Sequence, residues 1–316
     1  MNTSEFIIQG FSDNPELQFP IFLLFLFIYL FNVLGNLIIF FAVLLNSHLH
    51  TPMYILLLNL SVSDMAFTQA ILPKFLHMVF TQRKTITFRD CMTQMYVFSV
   101  AACSEHCLLT AMAYDRYVAI CDPLHYVTHM SLRRCALLIT ITWIAGFLTP
   151  TGHVISLSNL SYCSGHVIDH FYCDSKPLLK LSCTDTSNVD LLNYIIGTLL
   201  YLNCFLLTLI SYIYIISTIL KIKSTEGRHK AFSTCASHLT CVLILYGTIV
   251  FLYLRPTSSY SLHREKYFGL MLVVLIPSLN PLIYTLKNKE FQSAFQKLCQ
   301  SYYSFDYFQG EGVRKR

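Results

Sequence analysis

Met112–Cys121 reads MAYDRYVAIC and closes an apolar stretch that begins near Met92. Asp115 and Arg116 stand beside Tyr117 at the end of a segment otherwise suited to the interior of a bilayer. Charged side chains within or bordering a membrane span are costly and usually mark function. Here acid and base are neighbours, so each offsets the other's desolvation, and removing one leaves the other uncompensated. The plainer alternative is an interfacial charge pair that only sets helix depth; the surrounding residues decide between the two.

The chain of 316 residues is 54% hydrophobic and only 12% charged, with a mean hydropathy of +0.53. A soluble domain carries roughly 25% charged residues, so this chain lacks the charge to coat a water-facing surface and reads as a membrane protein. Its net charge of +5 is spread around the loops, without the basic tract or stacking platform that would suggest nucleic acid. Met1–Phe19 carries Glu5, Asp13 and Glu16 and no Lys or Arg, which is not the basic start of a signal peptide. It suits a short tail moved across the membrane by the span behind it.

A spanning helix needs about 20 mostly apolar residues. Seven stretches qualify: Pro20–Leu45, Tyr54–Val79, Met92–Val118, Ala136–Leu157, Leu191–Lys221, Ala231–Leu254 and Tyr267–Leu286. The second, third and sixth are interrupted by polar residues, as expected of helices facing neighbours or a cavity. The sequence therefore predicts an all-α membrane protein, a seven-transmembrane-helix bundle over residues 20–286 with an extracellular tail over 1–19. In the cytoplasmic segment 287–316, Phe291, Phe295 and Leu298 recur at helical spacing among polar residues, the pattern of a short amphipathic helix on the membrane surface. The one long linker is Ser158–Asp190.

With the N-terminus outside, thirteen of the 22 Lys and Arg residues fall on the cytoplasmic side, among them Arg116, Arg133, Arg134, Lys221 and Arg228. That is a modest positive-inside bias. Asn2-Thr3-Ser4 is a glycosylation sequon, useful only on the lumenal side. Four of the 12 cysteines, Cys91, Cys163, Cys173 and Cys183, fall in the outer loops, where disulfides persist. Four cysteines allow three pairings, and joining Cys91 to the long loop would fold that loop over the bundle. Zinc at Cys163, His166, His170 and Cys173 is set aside, because oxidised cysteines cannot ligate a metal.

These residues resemble the rhodopsin-like G-protein-coupled receptors, and within them the olfactory (odorant) receptors, over essentially the whole chain. Met112–Tyr126 (MAYDRYVAICDPLHY), Leu49–Tyr54 (LHTPMY), Ser211-Tyr212 and Lys230–Leu239 (KAFSTCASHL) are similar to the family's signatures. Pro277–Tyr284 reads PSLNPLIY, with Ser278 where the family has Met; Gly35-Asn36 and Asp64 also match. The resemblance implies that Arg116 faces the G protein and is restrained at rest by Asp115. Tyr212 and Tyr284 would rearrange beside it, Asn280 and Pro281 belong to the seventh-span motif, and the sixth helix would swing outward on activation. It also implies pairing of Cys91 with Cys173 and of Cys163 with Cys183. Cys204 departs from the pattern, since many members have proline there.

From Arg116 back to Phe98 is about five turns, or ~27 Å at 1.5 Å per residue. Steps of three and four place Phe98, Ala102, Glu105, Leu109, Met112 and Arg116 on one face, with Ser99 and Cys103 flanking its outer part. Tyr246, Ile249, Val250 and Tyr253 share a face of the sixth span. An apolar cavity with a few polar groups is the expected small-molecule site, although each residue taken singly reads equally well as helix packing. The resemblance extends that site to Ile196, Leu200 and Val273. Phe98 stands where amine receptors carry an aspartate, and Val274 where opsins carry their retinal-linking lysine. The expected ligand is thus an uncharged or weakly polar organic molecule, hydrogen-bonded by Ser99, Tyr246 or Tyr253.

Asp64 and Glu105 are the carboxylates deep in spans. Two adjacent anions cannot both ionise cheaply, so they should share a proton or a cation; by resemblance this is a sodium site, with Asn280 nearby. No other cofactor is expected. A transporter would show paired halves or broken spans near the midplane, and an enzyme would need a nucleophile beside an acid/base or metal cluster. The expected partners are an odorant, a heterotrimeric G protein of the olfactory stimulatory type that raises cAMP, and the lipid bilayer, with the chain in the plasma membrane of olfactory cilia.

Overall fold

The computed structural model describes residues 5–11, 14–163, 165–253, 266, 269–286, 291–293 and 296, with the backbone alone at 230, 234, 237, 249–253, 272 and 284–286. The fold is a seven-helix bundle. Its helices are α1 (Pro15–Leu45), α2 (Pro52–Thr81), α3 (Phe88–Cys121), α4 (Leu132–Ser158), α5 (Ser187–Lys221), α6 (Thr225–Tyr253) and α7 (Ile276–Leu286). A π-helical turn, Met271–Leu275, leads into α7. Among the described residues five helices are long and apolar enough to cross a membrane, and α6 makes a sixth when its arms, bent by 48°, count as one.

Most helices begin earlier than their apolar stretches. Hydropathy stops at the first charge, whereas a helix starts where its free N–H groups find a cap. The Asn14 side chain accepts from Glu16 N at 3.0 Å, Thr87 Oγ1 from Asp90 N at 3.1 Å and Ser131 Oγ from Arg134 N at 3.4 Å. Pro15 and Pro52 open their helices, where a missing N–H costs nothing.

Burial separates the helices into two classes. The most apolar windows of α2 and α3 are 56% and 61% buried, against 17% for α1 and 22% each for α4 and α5. So α2 and α3 form the interior, while α1, α4 and α5 turn large apolar side chains such as Phe27, Leu148 and Leu207 outward. In lipid such side chains gain nothing by leaving acyl chains, so close contacts and hydrogen bonds join the helices instead. Gly35 lets α1 approach Pro281 of α7, and Gly146 lets α4 approach Ser104 and Val100 of α3. Ser63 Oγ donates to the Ala101 carbonyl at 2.8 Å, and Trp143 Nε1 to Asn59 Oδ1 at 3.0 Å.

The tail end of the bundle carries a sheet that the sequence reading did not foresee. β1 (Glu5–Ile8) lies between β2 (Thr85–Thr87) and β3 (Val167–Ile168), antiparallel to the first and parallel to the second. Phe6 and Ile8 point inward and are fully buried; the Phe6 ring meets Tyr162 edge-on at 5.4 Å. Lys266 pairs with Asp169 of the long loop and donates to the Gly10 carbonyl at 3.1 Å, tying tail, loop and the approach to α7 together. The loop itself contains a short helix, Ser175–Lys180. The structure joins Cys91 to Cys173 and Cys163 to Cys183, with Cα atoms 5.5 Å and 5.7 Å apart. Phe291–Ser293 is helical; Phe295 and Leu298 lie outside the described residues, as does Asn2.

Candidate functional site

α3 runs through the site from end to end. At its tail-side end, Phe98 packs against Phe67 of α2 at 4.7 Å and Tyr172 of the loop at 5.3 Å. Ala102 is half-buried in the same apolar cluster, Val273 of the π-helical turn is fully buried there, and Ser99 is half-buried. Gln94 fixes this corner: its Oε1 accepts from the Cys173 backbone N at 2.9 Å while its Nε2 donates to the Ala70 carbonyl at 2.9 Å. One side chain thereby joins α2, α3 and the loop beside the Cys91–Cys173 bridge.

A turn further along, α3 presents a different face to α5. Cys103 Sγ lies 3.9 Å from the Tyr201 hydroxyl, and Cys107 Sγ lies 3.9 Å from Cys204 Sγ. Thr110 Oγ1 donates to the His106 carbonyl at 2.9 Å, lies 3.4 Å from the Cys204 carbonyl oxygen and receives the Thr208 hydroxyl at 3.3 Å. The His106 ring stands 4.6 Å from Tyr201 and 6.0 Å from Tyr246. Tyr246 packs with Cys204 and Leu200, its ring 5.2 Å from Phe205; Ile196 is half-buried on α5. The side chains of Ile249, Val250, Tyr253 and Tyr284 lie outside the described residues. A separate shallow, open cleft lies at the rim between the tail, α1 and α2, walled by Gln9, Phe11, Phe75 and Lys84; none of the expected ligand residues lines it.

Beneath this layer Asp64, Glu105 and Asn280 are buried together. Asn280 Nδ2 donates to Asp64 at 3.0 and 3.2 Å and to Glu105 Oε1 at 3.2 Å. Among the described residues no group of three or more His, Cys, Asp or Glu converges as a metal site. The two carboxylates, which offer oxygen alone, are chemically suited to a small hard cation rather than a soft one. Such an ion would supply the positive charge that lets both carboxylates ionise side by side.

At the inner end Asp115 is buried and accepts from the Tyr126 hydroxyl at 2.8 Å, a partner the sequence reading did not identify. Burial, and next the Asp115 carboxylate, push the Tyr126 phenol above its ordinary value. Arg116 is half-buried, in the electrostatic reach of Asp115, Tyr212 and His238. Tyr212 and His238 share a buried 2.6 Å hydrogen bond between hydroxyl and Nδ1, linking α5 to α6. His238 also went unassigned, although it stands inside the quoted KAFSTCASHL stretch. Tyr117 packs edge-on against Tyr214 at 5.8 Å.

One helix thus links a tail-side corner, a mid-bundle layer of thiols and hydroxyls, a carboxylate pair and a terminal arginine. Residues 25–301 match the family model described as olfactory receptor. The chain is 47% identical to olfactory receptor 5B12 of Homo sapiens over 294 residues, covering 93% of this chain and 94% of the relative. It is 45% identical to olfactory receptor 5AR1 of Mus musculus over 295 residues, covering 93% and 95%. It is also 46% identical to olfactory receptor 8U3 of Mus musculus over 300 residues, covering 95% and 94%. With identity this high over nearly all of each sequence, and with a multi-pass helical bundle of this arrangement, the chain belongs to the olfactory receptor family.

Proposed function

We propose that the protein binds small, mostly uncharged organic odorants in the tail-side half of the bundle and activates a heterotrimeric G protein of the olfactory stimulatory type. Signalling then raises cAMP, and activation moves the inner end of α6 outward. The observation that carries this reading is the course of α3: one helix lines the mid-bundle layer with Cys103 and His106 and ends at Arg116 beside the Tyr212–His238 contact. A ligand acts by binding the active arrangement better than the resting one. An odorant gains little energy in total, because it has few atoms to offer, so affinity is modest.

The N-terminal tail faces the cell exterior and Arg116 the cytoplasm, in the plasma membrane of olfactory cilia. Asn2 is glycosylated, and the Cys91–Cys173 disulfide holds the long loop across the bundle mouth while Cys163–Cys183 closes a ring within it. Asp64 and Glu105 hold a sodium ion in the resting receptor, with Asn280 beside them. An odorant panel applied to cells carrying the receptor, that G protein and a cAMP reporter tests the reading. Odorant-dependent cAMP that requires the G protein supports it; odorant-independent solute flux with no cAMP change argues for transport instead.

A further inference from the structure

We propose that His106 and Tyr246 form a subsite for a hydroxyl group, so that the receptor prefers ligands carrying an O–H donor over matched ligands that only accept. The inference rests on the odorant-receptor reading and narrows its ligand class. His106 Nδ1 lies 2.6 Å from the Ala102 carbonyl oxygen, which can only accept, so Nδ1 carries the hydrogen. The ring is buried and has no ion-pair partner among the described residues. A charged ring there would be costly, and a neutral imidazole holds one N–H only. Nε2 is therefore a bare lone pair, and among the described residues nothing donates to it.

The complementary group stands on α6. The Tyr246 hydroxyl is buried, near the Thr110 and Thr208 hydroxyls but in hydrogen-bonding geometry with neither. Its ring lies 6.0 Å from that of His106. Buried polar atoms left unmet are rare and costly, and here one needs a donor while the other can give one. A single hydroxyl answers both, donating to Nε2 and accepting from Tyr246. An ether, ester, aldehyde or ketone answers Tyr246 alone. Leu200 and Phe205 pack beside Tyr246 and are the apolar side chains that a carbon chain would meet there.

The test is a homologous series of straight-chain primary alcohols, each paired with its methyl ether and its aldehyde, read as EC50 in the cAMP assay with surface staining. In wild type the alcohols should be about tenfold more potent than their ethers, equivalent to about 1.4 kcal/mol. His106→Phe should bring the two to parity by weakening alcohols alone, whereas Tyr246→Phe should weaken alcohols and aldehydes together. Parity in wild type overturns the proposal, pointing to a bound water as the partner. So does an alcohol preference that survives His106→Phe at normal surface level. Either outcome leaves the odorant reading standing, since the compounds still activate. The wild-type ratio needs no variant, so a folding defect in His106→Phe does not remove the test. A receptor at the surface that answers no odorant at all overturns both.

Discussion

Replacing Gly146 with alanine should destabilise the receptor through one contact. Gly146 stands where α4 crosses α3, and a Cβ added there would overlap Ser104 Oγ. It would also lie 3.2 Å from Ser104 Cβ and 3.3 Å from the Val100 carbonyl oxygen. The hydroxyl can rotate away, but the Cβ and the backbone cannot unless α3 itself moves by a few tenths of an ångström. Overpacking of this kind costs about 1–3 kcal/mol, or roughly a factor of 5–150 in the folded-to-unfolded ratio. Gly152, also on α4, has nothing within 4 Å of its built Cβ. Gly152→Ala should therefore be neutral, or gain up to about 1 kcal/mol of helix propensity. The buried cysteines Cys103, Cys135, Cys204 and Cys235, which form no disulfide, provide the assay, since a thiol-reactive fluorophore reports their exposure as purified receptor is heated. Gly146→Ala should melt several degrees below wild type and Gly152→Ala should not, with Ser104→Ala restoring part of the loss. Equal melting of Gly146→Ala and wild type would refute the close approach of α3 and α4.

Gln94→Leu removes both the acceptor of the Cys173 N–H and the donor to Ala70, so surface expression should fall and the midpoint should drop by the equivalent of about 1–3 kcal/mol; an unchanged melt would contradict that role. Tyr126→Phe leaves the buried Asp115 without its 2.8 Å hydroxyl partner and should lower thermal stability by about 1–3 kcal/mol, checked by the same thiol assay. Asn280→Leu takes away the amide shared by Asp64 and Glu105. If the pair holds sodium, wild type should melt higher in sodium than in potassium at equal ionic strength and Asn280→Leu should show no difference. Identical wild-type melts in the two salts would count against a sodium site.

The architecture was legible because a bilayer demands long apolar stretches, and seven stood out with polar interruptions in those that see neighbours. The helix starts were not, because Thr87 and Ser131 act as caps beyond the point where hydropathy falls. β1 escaped for a physical reason. Four residues give no usable periodicity, and both of its partners, Thr85–Thr87 and Val167–Ile168, are distant in sequence. Helical spacing groups Phe98, Ala102 and Glu105 on one face, but it does not say which neighbour each residue meets. Phe98 turns to Phe67 and Tyr172, whereas Cys103 and His106 turn to Tyr201 on α5. For His106 the structure satisfies Nδ1 and leaves Nε2 unmet, a division that spacing along α3 does not give. The Tyr212–His238 and Tyr126–Asp115 contacts depend on how α5, α6 and the loop after α3 are set against one another, which no single stretch encodes.

Arg116→Ala offers the most direct measurement of whether this bundle converts ligand binding into G-protein signalling. Wild type and variant are compared at matched surface staining, with an active odorant and the olfactory stimulatory G protein present. The account predicts an odorant-dependent rise in cAMP in wild type and its loss in the variant. A full response from Arg116→Ala would contradict it.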